Sequence, residues 1–282
     1  MSLQFPKYDL HCHSTASDGT LSPQALLNRA QERGIEVLAL TDHDTLNGVH
    51  LLRSEGIPDS VTLVPGLELT ASWRNRILHI VGLGVDPDST VLNEYLSGLE
   101  ALRQQRAEKI CERLVKAGAP VEVLQEAVAE IAKGSVIGRP HIAKALVKIG
   151  FVNNEQAAFK SYLGTGKVGD VKMNWPDHNA AVTAIKEAGG WAILAHPTKY
   201  KMTFTKIREA VDDFLSVGGD GIEVSYTGIT PNHLRDLERL ADRKNMLVSA
   251  GSDFHSPEHG WTDLGKYAPV NDLSRHVLTK LL

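Results

Sequence analysis

Short apolar runs separated by turn residues dominate the first third of the chain. Val37-Leu38-Ala39-Leu40 is one, and Val61 to Val64, Leu67-Glu68-Leu69 and Ile77 to Leu83 follow. Runs this short, bounded by Gly, Pro and Asp, predict strands. Before the first of them, Ser22-Pro23 precedes Leu26, Leu27 and Ala30, and Gly34 follows. A Ser N-cap, a Pro in the first turn and a Gly after the last turn predict a helix. Strand, helix, strand is the opening of a parallel α/β sheet. From about Ser89 to Gly164 the period becomes helical. Leu92, Leu96 and Leu99 form one stripe, as do Ala107, Ile110, Cys111 and Leu114. Val121, Leu124, Val128 and Ile131 form another, and Ile142, Leu146 and Ile149 a third, with Gly118, Gly134 and Gly150 between them.

The βα rhythm then returns. Ala180 to Ala188 reads as a helix ending at Gly189-Gly190, and Trp191 to Ala195 as a strand. Ile207, Val211, Phe214 and Leu215 mark a helix, Ile222-Glu223-Val224 a strand, Leu234, Leu237 and Ala241 a helix after Thr230-Pro231, and Leu247 to Ala250 a strand. The pattern predicts an α/β barrel in two stretches, 1–88 and 165–282, interrupted by a small all-helical insertion, 89–164. No internal repeat or low-complexity segment is present.

Composition narrows the class. The 282 residues are 42% hydrophobic and 23% charged, the mix of an ordinary globular protein rather than a disordered chain. Two cysteines, Cys12 and Cys111, cannot form a disulfide scaffold and have no CxxC spacing, which fits a reducing compartment. There is no apolar run of membrane-spanning length and no signal-peptide pattern, so the expectation is a cytoplasmic protein. A net charge of −4 argues against an extended surface for long double-stranded nucleic acid, and no protein partner is evident. The unusual feature is histidine, with 12 against 6 Phe, 6 Tyr and 4 Trp.

These histidines, with acidic residues, sit where predicted strands end. Tyr8-Asp9-Leu10 leads to His11 and His13, Val37 to Leu40 leads to Asp42-His43-Asp44, and Leu63-Val64 leads to Glu68. Trp191 to Ala195 leads to His196, and Leu247 to Ala250 leads to Asp253 and His255. In a parallel barrel these ends converge on one mouth. His11/His13 and Asp253/His255 have i, i+2 spacing, which places both side chains of a pair on one face of a strand. Imidazole and carboxylate donors without thiolate suit Mn, Zn or Fe rather than an iron–sulfur cluster. Such ions lower the pKa of water and clamp the oxygens of a phosphate ester.

His11-Cys12-His13 with Ser17-Asp18-Gly19, Thr41-Asp42-His43-Asp44, Gly66-Leu67-Glu68, Leu194-Ala195-His196-Pro197 and Gly251-Ser252-Asp253-Phe254-His255 resemble, in this order, the motifs of the PHP (polymerase and histidinol phosphatase) family of metal-dependent phosphoesterases. The chain looks most like the stand-alone bacterial members with an SDGT-x-SP signature, which hydrolyse nucleoside 3′,5′-bisphosphates and are also described as 5′–3′ exoribonucleases. The resemblance implies a distorted seven-stranded (βα) barrel with up to three divalent ions, manganese first and zinc or iron as alternatives. It implies one ion on His11, His13, Glu68 and Asp253, a second on Glu68, His79 and His196, and a third on Asp18, His43 and His255. Many family members carry His where Asp18 stands. Asp18, His43, Glu68 and Asp253 are the implied catalytic residues, with a metal-bridging hydroxide attacking phosphorus. Asp9, Asp42 and Asp44 are candidates to orient the ligating imidazoles.

The insertion is expected over the barrel mouth. Arg103, Gln104, Gly134, Ser135, Arg139 and His141 are its candidate phosphate-binding residues, joined by Asp18 and His43 from the barrel. Arg forks match phosphate oxygens, and Gly138-Arg139-Pro140-His141 opens a helix whose N-terminus attracts anions. The expected ligand is a small phosphorylated nucleotide or the 5′ end of a short RNA. The rival readings are a monophosphatase of the histidinol-phosphate type and a non-catalytic PHP binding module. Gly164-Thr165-Gly166-Lys167 has the wrong spacing for a phosphate loop. His50, His178, His233, His259 and His276 read as surface or capping residues, Cys12 as wall-facing, Cys111 as core, and Trp175 as packing.

Overall fold

A computed structural model of the chain describes residues 5–258 and 260–282; His259 lies outside the described residues. The elements in chain order are β1 (Tyr8–Asp9), α1 (Pro23–Glu32), β2 (Val37–Leu40), α2 (Asn47–Glu55), β3 (Thr62–Trp73), β4 (Arg76–Leu83), α3 (Thr90–Lys116), α4 (Val121–Ile131), α5 (Arg139–Lys148), α6 (Glu155–Ala158), α7 (His178–Glu187), β5 (Trp191–Leu194), α8 (Phe204–Ser216), β6 (Gly221–Ser225), α9 (Pro231–Lys244), β7 (Leu247–Ala250) and α10 (Leu278–Leu281). The helix starts follow from the local chemistry. Ser22, Asp177, Thr203 and Thr230 each accept a first-turn N–H through the side chain, and Pro23 and Pro231 follow two of them.

The seven strands form one sheet in sequence order, a nearly closed α/β barrel. Pairings are parallel from β1 to β3 and from β5 to β7. Leu10 N–H donates to Ala250 O at 3.3 Å and Cys12 bridges Phe254, which brings the chain beyond β1 against the chain beyond β7. Leu10, Val37, Ala39, Val64, Val81, Ile193, Ala195, Val277 and Leu278 are buried together as a barrel core.

Two details differ from the strand pattern. β4 runs antiparallel to both neighbours, because Arg74 and Asn75, both at positive φ, form a tight hairpin turn between Trp73 and Arg76. The runs at 61–64 and 67–69 are one strand, β3, which passes through Pro65-Gly66. Residues 62–65 pair with β2 and residues 66–73 with β4, so Pro65 stands where the strand changes partner and its missing N–H costs no ladder bond.

The chain divides into two compact units, residues 1–95 with 176–282, and residues 96–175. The second is all-helical, and Leu114, Leu124, Ile142, Leu146, Ala158 and Leu163 are fully buried in its core. Val171 belongs to that core and Met173 packs on it, which carries the helical unit past residue 164. Cys111 is part of the same core, and Cys12 is fully buried with its thiol donating to Ala39 O at 3.2 Å.

Candidate metal centre

The C-terminal strand ends of the barrel carry the polar groups. After β1 the chain delivers His11 and His13, after β2 His43, and along β3 Glu68. β4 supplies His79, and the ends of β5 and β7 supply His196 and Asp253 with His255. Backbone bonds stitch these segments together: Asp253 N–H donates to His11 O at 2.7 Å, His13 N–H to Phe254 O at 2.9 Å, and Ala195 N–H to His79 O at 3.1 Å. His196, Asp253 and Asp44 have positive φ, at 26°, 53° and 51°. Non-glycine residues are rarely held there, and such strain gathers at functional sites.

Glu68, fully buried, is the hub. Its Oε1 lies 3.1 Å from His79 Nδ1 and 2.9 Å from His196 Nε2. Its Oε2 lies 3.0 Å from His43 Nδ1 and 3.4 Å from both His11 Nε2 and His13 Nε2. Asp253 Oδ1 lies 3.6 Å from His11 Nε2 and 3.3 Å from His13 Nε2. On the far side, Asp18 lies 3.4 Å from His255 Nε2 and 3.9 Å from His43 Nε2. Donor atoms within 4.8 Å of one another form four overlapping groups: His13, Asp18, His43 and His255; His11, His13 and Asp253; His11, Glu68 and His196; and His43, Glu68 and His79. All nine residues of the expected ligand set thus come together around Glu68. His79 and His196 share Glu68 Oε1, as in the three-ion scheme, while the close groups also place His196 with His11, and His79 with His43.

The donor set fits divalent cations on its own chemistry. His11 Nε2, His13 Nε2, Glu68 Oε2 and Asp18 Oδ1 are buried polar atoms with no hydrogen-bond partner, a costly state that cations between them would relieve. Burial alone would raise the Glu68 carboxyl, but His79, His43 and His11 outweigh it and hold it well below the usual carboxylate range. The same balance, against His43 and His255, keeps Asp18 ionised. Burial, with His255 and His43 adding to it, pushes His13 down to about 3. Ionised carboxylates and a neutral imidazole are the protonation states that ligation requires.

A family signature described as "PHP domain" matches residues 9–102. The chain is 44% identical to a 5′-3′ exoribonuclease of Haemophilus influenzae over 94% of its own length and 96% of that protein's. The chain belongs to the PHP domain family. It is 35% identical to a 3′,5′-nucleoside bisphosphate phosphatase of Chromobacterium violaceum, covering 97% of this chain and 95% of that one. A solved structure described as an amidohydrolase from Chromobacterium violaceum with bound sulfate and no metal superposes with a TM-score of 0.86 at 35% identity, over 98% of this chain and 95% of that one.

The groups around this PHP centre correct one expectation. Asp9 accepts the N–H groups of His11, Ser252 and Gly265, and Asp42 accepts from Ser14 N–H, Ser14 Oγ and Ser17 Oγ. These carboxylates shape the loops that carry the ligands, while Asp44 accepts the Thr70 N–H. Behind the cluster, a further carboxylate touches one of its rings: Glu223 Oε1 lies 2.9 Å from His11 Nδ1. Its signal in the sequence was a single acid in the middle of the apolar run of β6. Lys199, three residues past His196, pairs with Asp253 Oδ2 and lies over the Tyr226 ring.

In the helical unit the six expected phosphate-binding residues part ways. Arg103 and Arg139 come together with Arg106 around Ile137 and Gly138. Arg103 donates to Ile137 O at 3.4 Å, Arg106 to Val171 O at 3.0 Å and Arg139 to Leu163 O at 3.2 Å. Burial, with the Arg139 and Arg103 charges adding to it, pushes Arg106 down to about 10. Trp175 is buried beneath Arg103 and Arg106. Gln104 and Ser135 instead line a cleft of about 570 Å³ with Glu100, Glu108 and Glu112, whose sign is wrong for phosphate. Gly134 sits in the turn after α4 with φ 77°. His141 is buried and accepts the Gly138 N–H at 3.0 Å, so it caps α5. His276, expected as a surface or capping residue, is fully buried between Phe5 and Tyr8, and its Nδ1 accepts the Leu278 N–H at 3.3 Å at the start of α10.

Proposed function

We propose that this chain is a metal-dependent phosphoesterase that removes the 3′ phosphate of nucleoside 3′,5′-bisphosphates and trims short 5′-phosphorylated RNA from its 5′ end. The observation that carries this reading is the convergence of nine imidazole and carboxylate residues, Glu68 among them, in one cluster, with buried donor atoms left unsatisfied. Divalent ions held there, manganese first among the candidates, would supply an activated water at neutral pH and offset charge on the phosphoryl oxygens. His11, His13, His79, His196 and Asp253 hold the ions on the Glu68 side. Asp18, His43 and His255, with His13, would hold the other side, where His43 also reaches Glu68.

The chain's own groups account for the rest. Lys199 sets an ammonium beside Asp253, where it attracts the phosphoryl oxygens. Arg103, Arg106 and Arg139 form a cationic pocket in which they donate to the carbonyl oxygens of Ile137, Val171 and Leu163, with Asp170 acting on Arg106 and Arg139. We assign this pocket to the second phosphate of the substrate. A bisphosphate and a 5′-phosphorylated RNA present the same pair of groups, one phosphate to be anchored and one ester to be cleaved, which unites the two activities named among the relatives. Two free, buried cysteines fit the reducing cytoplasm, and no helix of the described residues is long and apolar enough to cross a membrane.

A panel of substrates with added manganese, zinc or iron tests the reading. Adenosine 3′,5′-bisphosphate and a 5′-phosphorylated short RNA should surpass histidinol phosphate and adenosine 3′-monophosphate in kcat/KM. Preference for histidinol phosphate would move the assignment to the monophosphatase class. Absence of any hydrolysis with bound metal would leave a binding module.

A further inference from the structure

Glu223 is 2% exposed on β6, a strand buried along its whole length. A carboxylate in such a place must be held by donors, or its burial is unaffordable. Its two oxygens have separate tasks. Oε1 lies 2.9 Å from His11 Nδ1, and Oε2 accepts the backbone N–H of His196 at 2.7 Å. His11 and His196 are both members of the group that shares Glu68. The β6–β7 register shifts between Glu223 and Ser225, a bulge of the kind that re-aims side chains beside active sites. His196 itself stands at φ 26°, a conformation that needs external restraint.

We infer that Glu223 is a positioning residue that sets two metal ligands at once. It fixes the His11 ring with its proton on Nδ1 and the Nε2 lone pair toward the cation, and it pins the strained His196 backbone that aims the second imidazole. With both oxygens engaged, Glu223 stands one layer behind the ligands. The inference rests on the reading that His11 and His196 ligate a metal. A glutamine cannot replace it, since an amide has one accepting oxygen for two N–H groups. If that oxygen keeps the His196 N–H, the NH₂ faces His11 Nδ1 and drives the ring proton to Nε2, where it blocks ligation.

Competition against a fluorescent chelator, with Mn²⁺ and then Zn²⁺, measures this on the native and Glu223→Gln chains. One class of bound ion should be held some 10- to 100-fold more weakly, the usual cost of losing such a partner. Excess metal should restore kcat with KM for the substrate unchanged. Native affinity in a folded Glu223→Gln chain overturns the inference and leaves the metal reading standing. A native chain that binds neither ion overturns both. Should the variant not fold, nitrogen NMR of labelled histidines in the zinc-loaded native chain decides. A proton on His11 Nδ1 with zinc at Nε2 supports the inference, and the opposite tautomer overturns it.

Discussion

Replacing Arg139 by Met should cost binding energy only when the substrate carries a second phosphate. The side chain is partly buried, hydrogen-bonded to Leu163 O, and adds its charge to those of Arg103 and Arg106. Burial, with the Arg139 and Arg103 charges adding to it, weighs against the charged form of Arg106 and pushes it down to about 10. An entering phosphate recovers part of that. A charge-assisted hydrogen bond contributes about 1.5–3 kcal/mol, so loss of one arginine should lower kcat/KM for adenosine 3′,5′-bisphosphate by roughly 10- to 150-fold. Adenosine 3′-monophosphate has no second phosphate, and its kcat/KM should change by less than about 3-fold, the scatter of independent perturbations. The two substrates and two proteins form a thermodynamic cycle, read by steady-state phosphate release at fixed ionic strength. Equal losses on both substrates would refute the assignment of this pocket, because the arginine would then be acting on stability or on the common chemistry.

Two further outcomes concern stability. Burial pushes His276 from 6.5 down to about 4 in the folded chain; the unfolded chain therefore binds more protons between these values, and stability is lost as pH falls from about 6.5 toward 4. From pH 7 to pH 4 the native protein should lose about 3 kcal/mol more than His276→Phe in denaturant titrations, and parallel pH profiles would contradict this. A Cβ on Gly251 would lie 2.4 Å from His11 N and Cβ, far inside contact distance. Gly251→Ala should therefore cost about 1–3 kcal/mol as overpacking, seen as a calorimetric Tm drop together with weakened metal binding; unchanged Tm and metal content would show that His11 can yield freely.

Much of this architecture is legible in the residues because it rests on local rules. The i, i+2 pairs His11/His13 and Asp253/His255 follow from strand periodicity, and the start of α1 follows from Ser22-Pro23. Other features depend on partners far along the chain. Pro65 reads as a break, yet β3 continues because its ladder changes sides there. His276 reads as a surface or capping residue, and its burial is hidden because only the fold brings Phe5 and Tyr8 to it. Glu223 hides in an apolar run, and its meaning appears only when β6 places it behind His11 and His196. Gln104 and Ser135 share a sequence neighbourhood with Arg103 and Arg139, but Gln104 on α3 and Ser135 in the bend after α4 line the acidic cleft instead.

The Glu68-centred cluster should hydrolyse the 3′ phosphate ester of a bisphosphate, and only with divalent metal bound. The most direct test is phosphate release from adenosine 3′,5′-bisphosphate by chelator-stripped protein, before and after manganese is restored. The stripped chain should show no release above background, and metal addition should restore it with adenosine 5′-monophosphate as the nucleotide product. Full activity in the stripped protein, or adenosine 3′-monophosphate as the product, would contradict this.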